Sequence, residues 1–77
     1  MNELTQLDIE LFIRKKYSSV DLVGMDQFVK DVGSINTYYY GSIWIKRQSR
    51  VDRIPVIVMV TRTKTKWLLI LAHCTNI

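Results

Sequence analysis

A single cysteine, a single proline and a single histidine are all that this 77-residue chain contains of those types. With Cys74 alone, an internal disulfide and a cysteine-rich zinc site are excluded. Only three glycines accompany the one proline, and 48% of residues are apolar, so the composition is that of a folded chain and not of a linker. Long hydrophobic runs are also missing. IPVIVMV and WLLILA fall far short of the ~20 residues a helical bilayer span needs. The opening MNELTQLD is acidic and has no basic-then-apolar signal pattern. An intracellular, cytoplasmic protein without membrane contact is the resulting expectation.

Catalytic signatures are equally scarce. Asp52 is the only acid between Tyr38 and Cys74, which leaves no carboxylate pair there. The chain has no glycine-rich phosphate loop, no metal-ligand cluster and no nucleophile elbow around a serine. A protein that is not an enzyme, with no cofactor and no metal, is therefore expected.

What is present begins with the stretch from Tyr38 to Cys74. Three runs, YYYGSIWIKRQ, IPVIVMVT and WLLILAHC, are separated by the charged breaks SRVDR and RTKTK. Their branched and aromatic side chains suit a pleated surface, and breaks this short join antiparallel neighbours. The spacing predicts a three-stranded meander with its second run central. The first run becomes an edge, and Pro55 breaks the ladder locally. Ile54, Val56, Val58 and Val60 share one face of the second strand, and Ile57 and Met59 take the other. The third strand is likewise apolar on both faces, whereas a sheet wetted on one side alternates with polar residues.

Upstream, Thr5 with Asp8 forms a capping box ahead of Leu7, Ile9, Leu11, Phe12 and Ile13. Arg14, Lys15 and Lys16 then complement the negative end of the dipole, so a helix is expected from about Thr5 to Tyr17. Met25, Phe28, Val29 and Val32 recur at helical spacing, Asp26 and Lys30 form an i,i+4 pair, and Gly33 offers a left-handed cap. A second helix is expected there, starting near Val20 or near Met25. The fold expected is α+β over residues 1–77: one or two N-terminal helices (4–33) packed on a three-stranded antiparallel β-meander (38–74). Helices this short cover one sheet face only. Trp44, Ile57 and Met59 are therefore candidate contacts to a partner protein or to a second copy in a homodimer.

Charge is distributed unevenly. Residues 1–45 hold four Lys or Arg against six Asp or Glu, and residues 46–77 hold seven against one. A basic half of this kind suits nucleic acid or an acidic, nucleic-acid-binding protein. In a meander, Lys46, Arg47, Arg50 and Arg53 gather at one end of the sheet, with His73 close by. Arg62, Lys64 and Lys66 gather at the other end, beside Tyr38 and Tyr40. An eight-residue central strand sets the two patches ~25 Å apart. Tyrosines beside cations can stack bases and neutralise phosphate, or else Tyr38 and Tyr40 simply pack beneath the helices.

The run WIKRQSRVDRIPVIVMV followed by WLLILAHC, behind N-terminal helices, is similar to the core of RelE-type ribosome-dependent mRNA interferase toxins. That resemblance implies Arg47, Arg50, Arg53 and His73 as an RNA-cleaving set. The chain departs from the family in lacking its opening strand and a usable Arg or Tyr in the last strand. RIPVIVMVTRTKTKWLLILAHCTNI is also similar to a sheet segment of DDE-type transposases, without the metal-binding acids. Neither resemblance is taken as membership.

Three functions stand in order. The first is a small basic non-enzymatic binding protein, of the kind phages and mobile elements encode, that engages nucleic acid through the basic and aromatic ends of its sheet. The second is an inhibitor or antitoxin-like factor that docks on a protein through an apolar sheet face with a basic rim. An interferase is third.

Overall fold

The structure, a computed structural model, describes residues 4–62 and 67–74, the last three of these through their backbone only. It is a small α+β fold. Helix α1 (Gln6–Lys16) is followed by strands β1 (Leu22–Met25), β2 (Val29–Val32), β3 (Thr37–Arg47), β4 (Arg50–Arg62) and β5 (Trp67–Cys74). All pairings are antiparallel, in the order β1-β3-β4-β5, with β2 also on β3. β1 and β2 occupy successive halves of one side of β3, so they form a single edge strand broken at residues 26–28.

Helix α1 begins as its sequence dictates. The Thr5 hydroxyl accepts from the Asp8 amide, and the Asp8 carboxylate accepts in return from the Thr5 amide at 2.8 Å. Tyr17 ends the helix, its N–H donating to the Ile13 carbonyl. Ile9, Ile13 and Tyr17, each four residues apart, are buried against the sheet, whereas Leu7 and Leu11 face outward. Beneath them lie Tyr39, Ile43 and Ile45 of β3 with Ile54, Val56, Val58 and Val60 of β4. Full burial of each such aliphatic side chain contributes roughly 1.5–3 kcal/mol.

The expected second helix is not formed. Residues 20–33 supply β1, the break and β2, and the sheet gains a fourth strand position, on the far side of β3 from β4. Tertiary context overrides the helical spacing because β3 has a second side whose N–H and C=O groups need partners. β-branched Val23, Val29 and Val32 favour strand, and the mid-segment Gly24 weakens a helix. Val29 and Val32 are consequently exposed, and only Phe28 of the supposed buried stripe is fully covered. Asp26 pairs with Arg53 instead of Lys30. Gly33 is not a left-handed cap; it opens the β2–β3 loop, its N–H donating to the Asn36 carbonyl at 2.8 Å. The first strand of the expected meander, β3, is an inner strand and not an edge.

Gln6 makes the broken edge possible. Its side-chain carbonyl accepts from the Phe28 amide at 2.9 Å, and its amide donates to the Asp26 carbonyl at 3.1 Å and to Glu10 at 3.0 Å. The break would otherwise leave those two backbone groups part-buried without partners. Phe28 then lies flat on Gly41, where a Cβ would come within 2.8 Å of the ring.

β4 starts earlier than expected. SRVDR is not a loop: only Gln48 and Ser49 turn, and the strand runs for 13 residues. Gln48 has φ 52° and Ser49 does not share the positive sign, the φ pattern of a II′ hairpin turn. Asp52 lies 3.2 Å from the Arg50 and 3.6 Å from the Arg47 guanidinium nitrogens, which lets these charged residues sit in a strand. At ~3.3 Å per residue β4 spans ~40 Å, close to the 45 Å long axis of the molecule.

A two-residue turn makes Arg47↔Arg50 a hydrogen-bonded pair, and such pairs alternate along the ladder. Ser42↔Pro55 falls in a non-hydrogen-bonded position, so the proline nitrogen points away from β3. On that side the β5 pairing has ended at Val56↔Cys74. Pro55 therefore interrupts nothing, and the β3–β4 register runs through it unshifted.

Replacing Gln6 by alanine is expected to destabilise the fold by about 1–3 kcal/mol, since two backbone groups lose their partners. Gln48→Gly is expected to raise stability by up to about 1 kcal/mol by relieving the left-handed backbone. Urea unfolding of both variants against the parent, with unchanged m-values, checks the two signs.

Candidate functional site: an open apolar face

Alternation along β3, β4 and β5 sorts every side chain to one of two sheet faces. The helix takes the face that carries Tyr39, Ile43, Val56, Val58 and Leu69. The other face carries Tyr38, Tyr40, Trp44 and Lys46 from β3, Arg53, Ile57 and Met59 from β4, and Leu68 and Ile70 from β5. No described element covers it. Tyr40 is 39% exposed, Trp44 36%, Leu68 40% and Ile70 39%, while Tyr38, Ile57 and Met59 are half-buried by their neighbours. Side chains of this size at such exposures make a patch comparable to the ~300–600 Å² that is the largest on a typical monomer.

The aromatic residues form a row along β3. Tyr38 and Tyr40 lie with ring centroids 6.3 Å apart and planes tilted by 39°. Trp44 lies across its strand partner Gly24, where a Cβ would approach the indole to 2.6 Å. Tyr39, between the two open tyrosines, is the one that packs beneath the helix. Tyr38 and Tyr40 thus face away from the helix.

The cations are arranged differently from expectation. Arg62 falls on the helix side of β4, its guanidinium carbon 5.0 Å from the centroid of the Trp67 ring, and so lies on the opposite face from Tyr38 and Tyr40. Lys64 and Lys66 lie outside the described residues. At the turn end, Arg47 and Arg50 also take the helix side and share Asp52. Arg53 is on the open face, paired at 2.8 Å with Asp26. Lys46, beside Trp44 on that face, has no ion-pair partner among the described residues. Three of the four cations expected at this end are thus matched by a carboxylate.

His73 does not join them. Its backbone pairs with Ile57, four residues from Arg53 and seven from Arg50, or about 13 and 23 Å along the strand. The backbone positions of Arg47 on β3, Arg50 and Arg53 on β4 and His73 on β5 are thus spread along the sheet instead of gathering at its turn end. The two ends of β4 are themselves ~40 Å apart and not ~25 Å, because the turn is shorter and the strand longer than the sequence pattern indicates.

On the helix side, Leu4, Lys30, Thr37, Tyr39, Val60 and Trp67 line a hollow of about 40 Å³. Small-molecule sites usually enclose ~300–1,000 Å³, so this hollow is below ligand size. Among the described residues no three His, Cys, Asp or Glu side chains gather as a metal site, and no helix is long and apolar enough to cross a membrane. Comparison with known protein families, curated proteins and solved structures finds no match.

Leu68, Ile70 and Pro55 were not singled out as site residues by the sequence, although they complete the open face. The signal was there in the strict parity of WLLILA, since Leu68 and Ile70 pair with Thr61 and Met59. A Gly24→Ala substitution is expected to push the Trp44 indole off the edge strand and into solvent. A red shift of tryptophan emission in a Trp67→Phe background, with the far-UV circular dichroism retained, reads that displacement.

Proposed function

We propose that this chain is a small non-enzymatic binding protein that docks its open sheet face onto the surface of a protein partner, in the manner of an inhibitor or antitoxin-like factor. One observation carries the reading: an apolar face built from three strands, with Ile57 and Met59 at its centre, Trp44 toward its turn end and no described element over it. Burying such a face removes apolar area from water, the main favourable term in protein association. Lys46 at the rim supplies a charge suited to an acidic edge on the partner.

Nucleic acid is the second reading, supported by the tilted pair of Tyr38 and Tyr40, which can stack bases. It ranks below the first because the tyrosines adjoin Ile57, Met59, Leu68 and Ile70. Arg47, Arg50 and Arg62 are on the other face, and Arg53 is neutralised. Among the described residues, a phosphate backbone would find few free cations where the aromatic rings are.

A photo-crosslinking residue at Ile57 is expected to trap one discrete protein from the native host at defined stoichiometry, and the same probe at exposed Leu7 on the helix is not. Met59→Lys should abolish that product. Fluorescence anisotropy with short single-stranded RNA and DNA at two salt concentrations supplies the opposite outcome. Micromolar, salt-sensitive binding lost in Tyr38→Ala and Tyr40→Ala, with no protein product, replaces protein docking by nucleic-acid binding.

A further inference from the structure

A two-residue turn sets its flanking residues opposite one another. Arg47 and Arg50 therefore close the β3–β4 hairpin as a hydrogen-bonded pair, with Cα atoms ~5.5 Å apart. Both side chains take the helix side of the sheet, and like charges directly across a ladder repel. Asp52, on the same side, offsets part of that charge. One of its carboxylate oxygens lies 3.2 Å from the Arg50 Nε, and the other lies 3.6 Å from the Arg47 Nε. Two guanidiniums over a single carboxylate leave a positive charge in excess at the hairpin tip.

Engagement through Nε leaves the forked end of each guanidinium, Nη1 and Nη2, to donate elsewhere. Among the described residues neither Arg47 nor Arg50 gives those nitrogens to an acceptor. The Arg47 Nη2 is moreover buried, a charged donor shut from water and bonded to nothing. Buried donors of that kind are few in folded proteins, and an acceptor from outside the chain is one way to satisfy them. Arg47, Gln48, Ser49 and Arg50 together line a recess of about 470 Å³. That is within the ~300–1,000 Å³ of small-molecule sites. Its lining side chains are two guanidiniums, an amide and a hydroxyl, with no acid among them.

We propose that the hairpin tip is a binding site for a phosphate monoester, held between the forks of Arg47 and Arg50. Guanidinium forks meet phosphate oxygens two at a time, which a lysine ammonium does not. A carboxylate is planar and satisfies one fork. A monoester directs three unesterified oxygens at two forks and the Ser49 hydroxyl, whereas a phosphodiester has only two to offer. Asp52 is a positioning residue here: by meeting the Nε edges it turns both forks toward the same recess. The monoester is that of a free nucleotide or of the 5′ end of a nucleic-acid strand, and the chemistry recognised is the same in both. This site is on the other side of the sheet from Ile57 and Met59, so it stands or falls independently of the docking face.

Nitrogen–proton correlation spectra of the full chain can follow the Nε–H signals of Arg47 and Arg50 during titration with inorganic phosphate. Both signals are expected to move together and to saturate, and acetate at equal ionic strength is expected to leave them in place. Arg47→Lys and Arg50→Lys each keep the charge and remove a fork, so each should weaken phosphate binding by about tenfold. Arg50→Lys decides the matter if Arg47→Lys does not fold, because the Arg50 side chain is 72% exposed. Uridine 5′-monophosphate and a short 5′-phosphorylated oligonucleotide then separate the sources. Tighter binding of the oligonucleotide assigns the site to a strand end, and tighter binding of the nucleotide assigns it to a free ligand. Phosphate that moves neither signal overturns the proposal, as does acetate that moves both equally. So do lysine variants that bind phosphate as well as the parent, or a 5′-hydroxyl oligonucleotide that binds as tightly as the phosphorylated one.

Discussion

Everything in this fold takes its phase from the two-residue turn at Gln48 and Ser49. Closing β3 onto β4 at Arg47↔Arg50 decides which residues are hydrogen-bonded to each other and which face outward from the pair. Because side chains alternate with period two, a one-residue slip would exchange the buried face for the open one along the whole sheet. Ile43, Ile45, Ile54, Val56 and Val58 reach the helix only in this register, and Tyr38, Tyr40, Trp44, Ile57 and Met59 reach solvent only in this register. Gln48 holds the left-handed backbone that the turn requires without the glycine that would adopt it at no steric cost. The register is therefore held by burial of the isoleucine and valine face more than by the turn's own preference.

The helix and the broken edge strand depend on one another. α1 contributes Ile9, Ile13 and Tyr17 to the core, and Gln6 at its first turn holds the backbone at the point where the edge strand breaks. That break allows Phe28 to turn inward onto Gly41 while Trp44 covers Gly24 from the other side. An aromatic ring over a glycine on each face of the sheet, at Gly41 of β3 and Gly24 of β1, replaces the cross-strand packing that the glycines lack. Eleven helical residues cover ~16 Å of a sheet ~40 Å long, so among the described residues much of the helix-side surface and all of the opposite surface lie beyond the helix's cover.

The charges follow from the same phase. Asp52 lies on the same face as Arg47 and Arg50, and Asp26 meets Arg53 because the edge strand runs beside β3. Of the seven cations in the last 32 residues, Arg47, Arg50 and Arg53 are each held by a carboxylate. Pairs this exposed add little to stability. Their effect is to hold guanidinium groups at the turn end and to leave the centre of the open face apolar.

Much of this was legible in the chain. The capping box at Thr5 and Asp8, the helix as far as Tyr17, three antiparallel strands in meander order and apolar character on both sheet faces are all local patterns. They depend on residue type and short spacing, which sequence carries directly. The state of residues 20–33 was not legible, because Met25, Phe28, Val29 and Val32 satisfy a helical period while the chain is in fact used as a strand. What decided it was the unpaired side of β3, a partner that lies outside the segment and that its own residue spacing does not reveal. The pairing of Asp26 with Arg53, the bond from Gln6 to the broken edge and the assignment of Arg62 to the face opposite Tyr38 are likewise long-range. By itself the sequence determined which segments are apolar enough to be buried and where a helix could start. Only the tertiary structure decided which face each side chain joins, because that depends on strand register, and register is held by burial of the isoleucine and valine face against a helix distant in the chain.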